Sequence, residues 1–211
     1  MVIDDAAPPS RAASLTLVGG ELALDFANTS SGRGWREHQE HLRSCGDIVD
    51  WAARARVLSP DEADGLREAT RADPDLGRGL FDAALALRED VYALSSEIAA
   101  GRAAPPEHTE RLTQTHAHFL ARAQLAPVGG HFAWNWSTKN APIEAVLGRI
   151  SLSALTILLQ ADLTRIKQCP GDKCGWLFLD ATKNKSRRWC EMEICGNRAK
   201  QKRFGAKARG A

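Results

Sequence analysis

Apolar residues recur at intervals of three and four through most of the chain, which predicts a mainly helical protein. Ile48, Val49, Trp51 and Ala52 share one face of a helix predicted over 44–57. Ser59, Pro60 and Glu62 then give the cap, first-turn proline and third-position glutamate that start a helix. Leu80, Ala84, Leu87, Val91, Leu94 and Ile98 mark a long helix over 76–100, and Pro105 and Pro106 open another that runs to about 125. The period shortens to two in "LAPVGGHFAWNWS", where Gly129 and Gly130 predict a hairpin turn. Phe132, Trp134 and Trp136 fall on one side of it, a face expected to be buried and to border a pocket. Pro142 opens the last long helix, whose stripe of Ile143, Val146, Leu147, Ile150, Ala154, Leu158 and Leu159 ends near Lys167. One segment stays open: in "GELALDFANTSSGRG", Leu22, Leu24 and Phe26 alternate as in a strand, while Leu22, Asp25, Phe26 and Thr29 suit a helix. The predicted fold class is mainly α with small β elements (α+β). A disordered Pro- and Ala-rich lead-in (1–14) precedes a helical domain with a β-hairpin (15–164), expected to fold alone, and a small module of hairpin plus helix (165–211).

The cysteines give that module its chemistry. Four of the five lie between Cys169 and Cys195 as C-P-G-D-K-C, fifteen residues, then C-E-M-E-I-C. Paired thiolates at this spacing suit a closed tetrahedral zinc site, and a module this small needs a metal to fold. Disulfides fit a reducing cytosol poorly, and the symmetric pairs favour zinc over an iron–sulfur cluster. Four protein ligands leave no open position, so the ion, one per chain, is expected to be structural. "GWLFLD" alternates Trp176 and Phe178 with Leu177 and Leu179, and "DATKNKSRR" reads as the turn of the module's hairpin; a helix follows from Cys195.

Charge divides the chain. From residue 165 onward there are 13 Lys or Arg against 4 Asp or Glu, whereas residues 1–164 hold 15 against 22. Lys183, Lys185, Arg187, Arg188, Arg198, Lys200, Lys202 and Arg203 surround the cysteines, and cations on a metal-braced frame suit phosphate backbones. A solvated face that merely offsets the tetrathiolate is the bland alternative. Trp176, Phe178 and Trp189 are expected to form the module's core rather than to stack on bases.

The segment "CPGDKCGWLFLDATKNKSRRWCEMEICGNRAK" resembles the CGNR zinc-finger family, in both cysteine pairs, Asn184, the Arg187-Arg188-Trp189 run and Cys195-Gly196-Asn197-Arg198. "GGELALDFANT" is more loosely similar to the opening of the helical domain that accompanies such fingers, described as a stress-induced transcription regulator. The resemblance implies zinc held by Cys169, Cys174, Cys190 and Cys195, and a role in binding DNA.

Other candidates are weaker. Asp25 and Asn28, with Trp134 and Trp136, form a candidate ligand pocket for an unidentified small-molecule effector. His38, His41, His116 and His118 fit no ligand motif and are expected at the surface. Cys45 reads as inert packing. With no nucleophile–base pair or phosphate loop, an enzyme is not expected. A single finger makes few contacts, so a homodimer or another partner is expected to supply useful affinity. Charged residues interrupt the apolar run at 143–163, and the start lacks a signal pattern, so the expected location is cytoplasmic, with no membrane partner.

Overall fold

A computed structural model describes residues 11–209, with side chains to Phe204. Its helices are α1 (Leu22–Ala27), α2 (Cys45–Arg54), α3 (Pro60–Ala72), α4 (Pro74–Ala99), α5 (Pro106–Leu120), α6 (Pro142–Gln160) and α7 (Asn197–Arg209). Three antiparallel pairs accompany them: β1 (Ser30–Ser31) with β2 (Gln39–Glu40), β3 (Gln124–Val128) with β4 (His131–Asn135), and β5 (Ile166–Gln168) with β6 (Leu177–Leu179). The fold is α+β, as the hydrophobic pattern predicts.

α4 is the hub. Its predicted stripe is buried at Leu80, Ala84, Leu87, Val91 and Leu94, and α1, α2, α3, α5 and α6 all pack on it. The start signals work as read: Ser59 Oγ accepts from Glu62 N while Glu62 Oε2 accepts from Ser59 N at 2.8 Å, closing the box at the head of α3. The ambiguous segment is helical. Ala23, Leu24, Phe26 and Ala27 are all buried between α4 and α6, and among the described residues no strand lies alongside 22–27 to pair with it. Phe26 meets Trp51 of α2 with ring centroids 5.0 Å apart.

Several expectations shift. Part of the lead-in is ordered: Arg11–Ser14 forms a short 3-10 turn against α2 with Ala12 buried, while residues 1–10 lie outside the described region. α5 stops at Leu120, since Leu125 is needed opposite Trp134 in the hairpin. The hairpin does not bury the predicted face. Pairing sets Leu125 beside Trp134 and Pro127 beside Phe132 on one side, yet Leu125 and Phe132 remain 58% and 68% exposed. Only Trp136, beyond the strand, is buried; its Nε1 donates to the Phe119 carbonyl, and its ring fills the space a Cβ at Gly148 would need. α6 ends at Gln160, and Lys167 belongs to β5. By length and composition α6 could cross a bilayer, contrary to the reading of its interruptions. Half of it is buried, against α1, α4 and α5.

The seam between the helices and the cysteine module is a shared core. Ile166 of β5 and Leu177 of β6 are buried in the same cluster as the helical stripes, and both strands pack on α4.

Candidate metal centre and nucleic-acid interface

The first cysteine pair sits on the loop between β5 and β6. Cys169 N donates to the Trp176 carbonyl at 2.8 Å, and Cys174 N to the Gly171 carbonyl at 3.1 Å, which closes a tight knuckle. A Cβ at Gly171 would stand 3.0 Å from Cys195 Sγ and 3.3 Å from Cys169 Sγ, so the backbone reaches the sulfurs only as glycine. The partner of β6 differs from the sequence reading. It is the upstream strand β5, not a strand after "DATKNKSRR". The other edge of β6 is occupied from the N-terminal side: Leu177 N donates to Asn28 Oδ1 at 2.7 Å, Asn28 Nδ2 donates to the Leu177 carbonyl at 2.8 Å, and Leu179 N donates to the Gly19 carbonyl. Alternation then divides the strand, with Leu177 and Leu179 facing the helical core while Trp176 and Phe178 face the cysteines.

The second pair lies around a single π turn, Met192–Gly196, after Cys190. All four sulfurs are within 4.8 Å of one another and all four residues are buried. Cys174 Sγ and Cys195 Sγ each lie 3.6 Å from Cys190 Sγ. Tetrahedral zinc, with bonds of about 2.3 Å to each sulfur, sets its ligands roughly 3.8 Å apart, so the donor set fits. The protons agree. Hydrogen bonds from the Cys174 and Cys190 thiols push Cys169 down to about 2, the same bonds push Cys174 up to about 12 and Cys190 up as well, and burial raises Cys195. Four thiolates this close need a dication, and with it this is one structural zinc site.

Residues 20–161 match the family described as "Putative stress-induced transcription regulator" (ABATE), and residues 165–208 match the CGNR zinc finger. The chain belongs to the ABATE family, with a CGNR finger after the family's helical region. No curated protein matches it.

Within the CGNR finger the cations divide into two sets. Arg187 turns inward. Its guanidinium donates to the carbonyls of Cys190 at 2.6 Å, Val18 at 2.8 Å, Trp189 at 3.2 Å and Leu179 at 3.4 Å, and stacks 4.3 Å above Phe178. This corrects its assignment to phosphate: the charge already satisfies carbonyls around the second cysteine pair. Lys185 is also committed, 2.7 Å from Asp162, whose carboxyl its hydrogen bond holds down to about 2. The other six are exposed. Lys202 makes a surface pair with Asp172 at 3.2 Å, Arg198 reaches the Asp172 carbonyl at 3.4 Å, and Arg188 lies 5.2 Å over the Trp189 ring. Arg188, Arg198, Lys202 and Arg203 line one groove of about 490 Å³, together with Trp189 and, from the helical region, Trp35.

The residues of the candidate ligand pocket serve other ends. Asn28 holds β6, and the Asp25 carboxylate accepts from Gly19 N at 2.7 Å and from Val18 N. Burial pushes the Asp25 carboxyl up to about 6, against the pull of those two amides and of Arg187. Trp136 is packed on Gly148, and Trp134 is 39% exposed on the hairpin. Two histidines expected at the surface are buried: His41, bonded to Ser31 Oγ, and His116, bonded to Ser151 Oγ; burial lowers both. Sequence reasoning missed Trp35. Its glycine-flanked loop, Gly32 to Gly34, was the available signal.

Proposed function

We propose that this protein is a DNA-binding transcription regulator rather than an enzyme, with the CGNR finger as its DNA-contacting part. The observation that carries the reading is the groove beside the zinc centre, where Arg188, Arg198, Lys202 and Arg203 stand on one rigid frame. Phosphates demand several cations held in fixed relation. Lys183 and Lys200, both exposed, extend the positive surface. The Lys202–Asp172 pair is largely exposed and so contributes at most about 1 kcal/mol, little enough for a phosphate to replace it. The helical region senses a signal or mediates dimerisation. A largely apolar cavity of about 660 Å³ supports the sensing half of that statement, since Leu94, Ile98 and Leu158 line it together with Ile166 of the finger's first strand. An effector there would touch both parts. A cytoplasmic location follows from this reading.

Anisotropy of labelled duplex fragments with the zinc-loaded chain tests it between ~50 and ~200 mM salt. Affinity should fall steeply with salt, and Arg188→Ala or Lys200→Ala should each reduce the log–log slope by about 1. Absence of duplex binding at ~50 mM salt would end the DNA reading. The finger would then serve protein contacts, a second reading favoured by its own exposed Met192, Ile194 and Phe204.

A further inference from the structure

The groove holds more than cations. Trp35 comes from the loop between β1 and β2, far in sequence from the finger, yet it forms one wall beside Arg188 and Arg198. Its position is fixed from two sides. Gly32 N donates to the Cys174 carbonyl at 2.9 Å, Lys173 pairs with Glu37, and the ring edge rests on Gly175, whose positive φ lets the knuckle pass beneath it. On the other side Arg33 bonds Glu89 at 2.9 Å and stacks 4.1 Å over Tyr92 of α4. The indole is therefore held in place while 40% of the residue stays exposed. A lone exposed tryptophan needs no explanation, but one built into a wall of guanidinium groups does.

A duplex hides the faces of its bases, so an aromatic wall in a basic groove gains little from it beyond the phosphates. An unpaired base offers a π-face, and single-strand binding sites combine a basic track with aromatic platforms of this kind. A volume of about 490 Å³ is large enough for a nucleotide. Because the indole is already ordered, stacking costs little entropy. We propose that this composite groove binds an unpaired nucleotide of single-stranded nucleic acid, with Trp35 as the stacking platform and Arg188 and Arg198 on the backbone. The inference rests on the nucleic-acid reading above.

The test compares a labelled twelve-nucleotide oligothymidylate with a duplex of equal length, on the zinc-loaded full chain. Trp35→Ala should weaken oligothymidylate binding roughly tenfold or more and change duplex binding by less than about twofold, while Trp35→Phe keeps most of the single-strand affinity. An oligouridylate run in parallel assigns DNA or RNA as the source by which of the two binds tighter, and Trp35→Ala must weaken that binding too. Should Trp35→Ala lose zinc, photocrosslinking of wild-type protein to an iodouracil-containing strand decides instead, with attachment expected at Trp35. Duplex binding without single-strand binding, equal effects of Trp35→Ala on both, or crosslinks only elsewhere would overturn this inference and leave the regulator reading standing. Binding to neither nucleic acid would overturn both.

Discussion

Arg187 and Arg188 are neighbours with the same side chain and opposite tasks. The chain sends the first guanidinium among four carbonyls and leaves the second exposed. Hydrogen bonds from a charged donor contribute about 1.5 to 3 kcal/mol each, and removing a donor leaves its acceptors unsatisfied. Arg187→Ala should therefore destabilise the protein by about 2–4 kcal/mol and speed zinc loss to a chelator, as read by thermal melts and a colorimetric metal assay. Arg188→Ala should leave both unchanged. Identical melting of the two variants would contradict the inward assignment. Nothing in the run "RRW" distinguishes the two arginines, because the difference arises from Val18 and Leu179, which lie far away or on another strand.

At the scale of elements, the edge of β6 is the informative feature. An unpaired strand edge invites further pairing. Here Asn28 and Gly19 take its amides and carbonyl, with Asp25 holding the Val18–Gly19 backbone in place. That carboxyl is raised in the folded state to about 6, from an ordinary value near 3.8, so the folded protein binds its proton more tightly than the unfolded chain does. Its contribution to stability is full below pH ~4 and is lost as pH rises through ~6. Asp25→Asn, which keeps an acceptor for Gly19 without the charge, should remove that dependence. The variant should gain on wild type between pH 4 and 7, by on the order of 1 kcal/mol after allowing for partial exposure. Urea midpoints across that range check it, and a constant difference between the two proteins would refute the buried-proton account.

The whole molecule is held together by the seam. The charge division and the metal module suggest a helical domain that stands alone, but Ile166 and Leu177 complete the core around α1 and α4. Burying a branched aliphatic side chain is worth roughly 1.5–3 kcal/mol, and both would be missing from a chain cut after residue 164. The buried Asn28 amide would lose its partners too. A fragment of residues 11–164 should be helical yet loosely packed, binding a hydrophobic dye and melting broadly, below the full chain. Stripping zinc from the intact protein should lower the melting of the helices as well. A fragment melting cooperatively at the full-length temperature would show that the seam adds nothing.

The zinc ligands, the helices and the caps were legible because each depends on short-range pattern: cysteine pairs at fixed spacing, a stripe at helical period, a serine three residues before a glutamate. The alternation of Trp176 and Phe178 against Leu177 and Leu179 likewise told which faces would part, though not toward what. What lay beyond the sequence were the partners brought from a distance. The Asn28 and Gly19 groups that cover the outer edge of β6, the Val18 carbonyl beside Arg187, the helical state of the "LDFANT" segment and the placing of Trp35 against the finger each depend on contacts between segments far apart in the chain. Local periodicity carries no information about such contacts, because only packing against α4 and the zinc knuckle determines which of several satisfiable backbone and charge pairings is made.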